Sequence, residues 1–564
     1  MRYSNGFFIR FIRLAGPFWN SDNKAAIRRQ TLAMIVLTVI QIGIAVVITE
    51  WSAALFNALE QHSMPRLLKQ TALLILIFAA TMAATATHLK IKRRLQVEWR
   101  GWLTDRVTSQ WMDKAHHYQV THIQSANHDN PDGRIAEDIR IATEDGIALC
   151  HSLFYSVLVL ISFTAVLWTL SGKIIVDLGL IEVPIYGHLV WIAVIYAVVA
   201  SFLGWRIGKP LINATDSRQT VEANFRFNLV TARENSLAIA LIHGEADERK
   251  RFFRLFQDII GAFNRQTHAL SNIMLFTSGY SVLSMAFPVL VSAPRYILGS
   301  ITLGALMQSV QSFQQMTSAL SWPVDNMSTV AQWRASVERV LSLMKALDDL
   351  ELELARTDPH RIVLEKGEDS VLRFQDLCIF RLDSVVCVSE LNAEIKAGER
   401  VLIAGNAFTG SKLFKAIAGL WPWGSGHIVV PDDEPMFFMP PRPYLPTGTL
   451  RAAICYPSAG EPVSQTALVQ ALELAGLKEL AEQLDQVDIW DKSLPREQQQ
   501  RLGLARLLLQ RPKWILLQEA FDSLTPDGET AMFQVICQEL PGATLLTITN
   551  QPTVEKLHQR RITL

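Results

Sequence analysis

Five apolar runs crowd the first half of this chain: Leu32–Ile48, Ala72–Thr87, Leu153–Leu170, Val190–Leu203 and Ile273–Val291. A bilayer core of about 30 Å needs about 20 apolar residues as helix. Several of these runs reach that length when polar-edged residues such as Gln41 and Thr49 are counted. None has Asp, Glu, Lys or Arg at its centre, as the cost of placing charge in lipid requires. A single short run would read as a buried core helix. Five together, in a chain that is 49% hydrophobic and only 19% charged with mean hydropathy +0.19, read as membrane spans. A sixth run, Ile301–Leu320, is punctuated by Gln308, Gln311, Gln314 and Gln315. Those amides either line a polar cavity or mark a helix lying partly outside the lipid. The expectation is an all-α membrane domain of six helices over residues 1–350.

Cations set its orientation. Arg10, Arg13, Lys24, Arg28 and Arg29 precede the first run, and Lys90, Lys92, Arg93 and Arg94 follow the second. Arg206, Lys209 and Arg218 follow the fourth, and Arg334 and Arg339 follow the sixth; the other connections are poorer in cations. Both termini are therefore expected in the cytoplasm of a multi-pass protein, with the bilayer as a partner. The segments after the second and fourth runs read as membrane helices continued into water, with a turn near Asn130-Pro131-Asp132-Gly133. Met1–Trp19 is basic and aromatic and lacks the apolar stretch of a cleaved signal peptide.

Lys+Arg and Asp+Glu both total 53, so net charge gives no sign of a nucleic-acid partner, and none is expected. Cys150, Cys378, Cys387, Cys455 and Cys537 are scattered without a C-x-x-C spacing, and His116, His117 and His122 have no ligand partner in sequence. No metal centre is expected from them.

Residues 351–370, with Pro359 and the charged Glu365–Asp369 stretch, read as a linker. Beyond it, residues 371–564 change character. Short β-rich segments (Val371–Phe374, Val385–Val388, Arg400–Ile403, His427–Val430, Trp514–Leu517, Thr544–Thr549) surround a helical region at Gln465–Leu484. Such alternation predicts a soluble α/β domain with a mostly parallel sheet and a ligand at the carboxyl ends of its strands. The apolar Val401-Leu402-Ile403-Ala404 leads into Gly405, Asn406, Ala407, Phe408, Thr409, Gly410, Ser411 and Lys412, then a helix through Ala416, Ile417 and Ala418. Strand, glycine-flanked loop and helix are the setting of a phosphate-binding P-loop, G-x-x-x-x-G-K-[ST]. Here Ser411 stands where Lys belongs and Lys412 where the hydroxyl belongs.

Longer motifs make a family resemblance specific. Glu98-Trp99-Arg100-Gly101-Trp102-Leu103-Thr104-Asp105, Asp129-Asn130-Pro131-Asp132-Gly133-Arg134-Ile135-Ala136-Glu137-Asp138-Ile139 and Glu222-Ala223-Asn224-Phe225-Arg226 resemble the membrane domain of bacterial ABC half-transporters. That group is related to peroxisomal fatty-acyl transporters and to peptide-uptake permeases without an ATPase domain. Ala416-Ile417-Ala418-Gly419-Leu420-Trp421-Pro422-Trp423-Gly424 and Arg442-Pro443-Tyr444-Leu445-Pro446 continue the likeness into the soluble half.

The resemblance implies ATP and Mg²⁺ as cofactors, and this chain departs from it at each functional position. Aligned on Leu413-Phe414, the phosphate loop is one residue short, and Lys412 is displaced by a helical step of roughly 100°. Gln518 occupies the metal-binding Asp position, where an amide lacks the anionic oxygen Mg²⁺ prefers. Glu519 remains as the general base, with its neighbours lost. The signature L-S-G-G-Q becomes Leu494-Pro495-Arg496-Glu497-Gln498; Pro495 has no amide proton and Glu497 brings like charge toward phosphate. Pro441 replaces the γ-phosphate-sensing Gln, and Asn550 the switch His. Phosphoryl transfer rests on positioning and charge neutralisation, so the expectation is a degenerate domain with weak ATP binding, impaired hydrolysis and no firm Mg²⁺ ligand.

Three functions follow. One is an ABC-type subunit of the bacterial inner membrane, a homodimer or a heterodimer with a second half-transporter, moving a peptide, lipid or vitamin-like solute. Another is a proton-driven secondary transporter with Glu222, Glu234 and Glu245 as candidate carriers. A third is a non-transporting receptor or assembly factor.

Overall fold

The computed structural model describes residues 6–123, 131–177, 182–354, 361–380, 386–432, 435–457, 463–549 and 552–564. The chain forms two units: Met1–Met112 with His128–Leu347, and Asp113–Asn127 with Asp348–Leu564.

The first unit is helical. Its long helices are α1 (Lys24–Glu60), α2 (Met64–Met112), α3 (Ile139–Ser171), α4 (His188–Glu234), α5 (Glu245–Ile297) and α6 (Leu303–Asp325), followed by α7 (Met327–Leu354). Five of them, α1 to α5, are long and apolar enough to cross a bilayer, by length and composition. At 1.5 Å per residue the 49-residue α2 spans about 74 Å, more than twice a hydrocarbon core, so it continues well into water.

The sixth expected run lies in α6, a helix of 23 residues that is not among those five. Leu306, Val310, Phe313 and Met316 are buried, and α6 packs on α1, α3, α4 and α5. A helix sheathed by protein can hold amides that lipid would reject. Gln311 Nε2 donates to Ser52 Oγ of α1 at 2.9 Å, and the helix start is secured by Asn57 Oδ1 accepting from the Gly304 amide at 2.9 Å.

Of the turn expected near Asn130-Pro131-Asp132-Gly133, Asn130 lies outside the described residues. Pro131-Asp132-Gly133 is helical, and Arg134–Asp138 forms one wide π-turn leading into α3. Proline opens a helix readily because its missing N–H is one of the first-turn donors that have no intrahelical partner. The wide turn ends at Asp138, whose carboxylate takes a two-pronged bond from Arg339 of α7. At the amino end, Phe7–Ala15 is an amphipathic helix, and Phe7 and Phe11 stand edge-on to Trp333 at 5.5 and 4.9 Å.

The second unit holds two main sheets, beside a short antiparallel pair of Gly448–Thr449 with Val487–Asp488. Its strands are β1 (Val363–Gly367), β2 (Val371–Phe380), β3 (Val386–Lys396), β4 (Arg400–Ala404), β5 (Gly424–Pro431), β6 (Met436–Met439), β7 (Trp514–Gln518), β8 (Thr544–Ile548) and β9 (Arg560–Thr563). One sheet is wholly parallel, in the order β9-β4-β8-β7-β6. The other runs β1-β5-β2-β3, with antiparallel pairs beside β2. Residues 351–370 carry the end of α7 and the strand β1, paired with β5.

Parallel strands are covered on both faces, and the alternation of side chains shows how. Leu402, Ile515, Leu517 and Leu545 enter one buried cluster; Val401, Ile403, Leu516, Leu546 and Ile548 enter the other. The first cluster is covered by helices including α9 (Arg496–Gln510) and α10 (Pro526–Glu539), the second by α8 (Ala407–Ile417) and the mixed sheet.

Candidate nucleotide site

The carboxyl ends of the parallel strands bring the sequence-derived site residues to one edge. Gly405 follows β4, Pro441 lies two residues beyond β6, and Gln518 ends β7 with Glu519 next. Asn550 lies outside the described residues. Ligands of open parallel sheets bind at this edge.

The segment expected to be a phosphate loop is mostly helix. Helix α8 starts at Ala407, so only Gly405 and Asn406 separate it from β4, and it ends at Ile417 with Ala418 as its cap residue. Asn406 is extended, φ −63° and ψ 133°, and caps the helix: its side-chain oxygen accepts the Phe408 amide at 2.9 Å. The Gly410 amide donates to the Asn406 carbonyl at 2.9 Å, as an ordinary helical bond. Two N–H groups of the stretch are thus engaged by the chain itself. A phosphate cradle needs such groups aimed outward.

Gly410 has a packing role. A Cβ there would stand 2.5 Å from Ile548 Cγ2, so its bare backbone lets α8 lie against β8. Lys412 Nζ sits 3.2 Å from the Trp421 ring centroid and 5.4 Å from that of Phe408, a cation–π arrangement. Thr409 and Ser411 lie on the first turns of α8, half-buried.

Gln518 is buried at the end of β7, and the half-buried Glu519 turns sharply with φ +44°, its amide donating to the Ile548 carbonyl at 2.9 Å. Pro495 is the residue before α9 and offers no side-chain cap. Arg496 Nη2 donates to Asp522 Oδ2 at 3.1 Å, and Glu497 accepts from Arg501 Nη2 at 2.9 Å, so both altered signature side chains are bonded within this chain.

Residues that sequence reasoning passed over tie these parts together. Gln500 is fully buried in α9; its amide donates to the Pro441 carbonyl at 3.0 Å and to Asp522, and its oxygen accepts from the Ser523 amide at 3.1 Å. Arg506, 9% exposed, donates from Nη2 to the carbonyls of Tyr444 at 2.9 Å and Ala453 at 2.6 Å. Burial holds its pKa below the usual guanidinium value. The Asn406 cap had a signal, an Asn immediately before an apolar helix. Gln500 had none, since one polar residue on a helix names no partner.

In the helical unit, Glu222 accepts from Arg218 Nε at 2.7 Å, and Arg218 also donates to Gln266 at 2.9 Å. Glu234 ends α4 and Glu245 begins α5, both exposed.

Residues 18–297 match the family described as ABC transporter transmembrane region 2. Residues 18–297 are thus the membrane region of an ABC transporter, and the whole chain resembles fused permease and ATP-binding proteins. It is 28% identical over 557 residues to the inner membrane ABC transporter ATP-binding protein YddA of Escherichia coli, covering 97% of this chain and 96% of that protein. It is 26% identical to ABC transporter D family member 2, chloroplastic, of Arabidopsis thaliana, over 98% of this chain and 85% of that protein. Human ATP-binding cassette sub-family D member 3 is 26% identical over 64% of this chain and 60% of its own length. The membrane-type helices and the parallel sheet are the two halves of such a half-transporter.

Proposed function

We propose that this ABC transporter subunit works as a dimer in a bacterial inner membrane, termini in the cytoplasm, moving a peptide, lipid or vitamin-like solute with its own nucleotide site impaired. The observation that carries the impairment is the shortened approach to α8: Asn406 caps the Phe408 amide where a phosphate oxygen would be received. Lys412 on Trp421 and Gln518 at the metal position support the same reading. The residues do not fit a magnesium nucleotide, so no catalytic step is assigned to Glu519. An inner-membrane location draws on the name of the Escherichia coli relative. In a heterodimer, a partner with intact motifs would supply the active site; in a homodimer, both sites would be weak.

Equilibrium binding of radiolabelled ATP, with and without Mg²⁺, to the purified chain in lipid nanodiscs tests the reading. Weak binding indifferent to Mg²⁺ is expected. Tight, Mg²⁺-dependent binding contradicts it.

A further inference from the structure

A cavity of about 380 Å³ lies among α4, α5, α6 and the start of α7, within the helical unit. Gly204 and Gly208, one turn apart and buried on α4, form one wall. A Cβ on Gly204 would be 3.4 Å from the Phe276 ring, and one on Gly208 would be 3.3 Å from the Ile273 methyl. Small residues at this spacing let two membrane helices approach closely.

Among the residues lining the cavity there is one carboxylate, Asp325, and no Lys, Arg or His. Arg206 and Lys209 of α4 are exposed, and Lys209 Nζ rests 6.0 Å from the Trp205 ring centroid. Asp325 makes no hydrogen bond or ion pair among the described residues. It is the last residue of α6, and Asn326 alone separates it from α7, which begins at Met327. Asp325 is exposed, so its carboxylate is open to an incoming cation beside the apolar walls. Tyr280 lines the same cavity, its hydroxyl buried and without a hydrogen-bond partner among the described residues.

We infer that this cavity binds an amphipathic organic cation: Asp325 receives the positive centre, while Phe276, Ile273 and Val324 receive its apolar or aromatic body. As a statement about cargo this rests on the transporter reading; as a statement about binding it does not.

The test uses the full chain in nanodiscs and radiolabelled tetraphenylphosphonium, with protein-free discs subtracted for partition into lipid. Tetraphenylborate, of the same shape and opposite charge, is the control. Saturable binding of the cation is expected, roughly tenfold weaker in Asp325→Asn and restored in Asp325→Glu, as loss of one charge-assisted contact implies. Gly204→Leu, which fills the cavity, should abolish saturable binding; the thermal melting midpoint of each variant reports whether it has folded. Absence of saturable binding, equal affinity for the borate, or unchanged binding in a folded Asp325→Asn overturns the inference. Saturable binding without uptake into proteoliposomes would contradict the transporter reading alone. Uptake without saturable binding would contradict the inference alone.

Discussion

The side-chain oxygen of Asn406 accepts the backbone N–H of Phe408 at 2.9 Å, closing the start of α8 from within the chain. Substituting Asn406→Ala should lower the stability of the α/β unit by about 0.5–2 kcal/mol, the usual loss for a helix cap. Denaturant melts of the full chain, read at the α/β transition, measure it. Asn406→Asp should retain most of that stability, because a carboxylate caps equally well and suits the positive end of the helix.

Gly410 meets Ile548 where a phosphate-binding glycine would meet ligand. Gly410→Val should therefore destabilise by about 1–3 kcal/mol, as overpacking does, whether nucleotide is present or absent. Ile548→Ala in the same chain should relieve part of the strain, and a double-mutant cycle reads the coupling. Equal losses with and without Ile548 would show that the glycine serves something else.

Arg339 grips Asp138 with Nε to Oδ2 at 2.8 Å and Nη2 to Oδ1 at 2.5 Å. The carboxylate is buried while the guanidinium is about half exposed, so removal of the cation is the harsher change. Arg339→Met should leave a buried, unpaired charge and cost about 1–3 kcal/mol, below the full range for a wholly buried pair because water reaches the Arg side. Replacing both residues, Asp138→Asn with Arg339→Met, should recover much of the loss. Thermal melting in nanodiscs separates the two outcomes.

His558 is a pH-sensitive group of the α/β unit. Its Nδ1 donates to the Val554 carbonyl and its Nε2 accepts from Thr547 Oγ1, both at 2.8 Å, the arrangement of a neutral ring. Burial chiefly lowers its pKa below the ordinary 6.5, opposed by the Val554 bond and assisted by Arg400. The unfolded chain then binds the proton more readily, so stability is complete above about pH 6.5 and declines as pH falls toward the depressed value. His558→Gln should flatten that decline, measured as melting midpoint against pH.

Much of the fold was legible because burial leaves a periodic trace. The strand Trp514–Leu517 and the span Ile273–Val291 are apolar runs of the right length for their surroundings. The strands Met436–Met439 and Arg560–Thr563 were not legible: one is very short, and the other is polar at the rim of the sheet. The glutamines of α6 were ambiguous because sequence does not say which helix is sheathed by its neighbours. At the site, the missing lysine and metal ligand could be read residue by residue. That Lys412 turns onto Trp421 could not, since it depends on where α8 begins.

The most direct test is ATP hydrolysis by the purified full chain in nanodiscs, compared with Glu519→Gln. The prediction is turnover at the background of protein-free discs, identical in the two proteins. Robust Mg²⁺-dependent turnover that disappears in Glu519→Gln would contradict an impaired site.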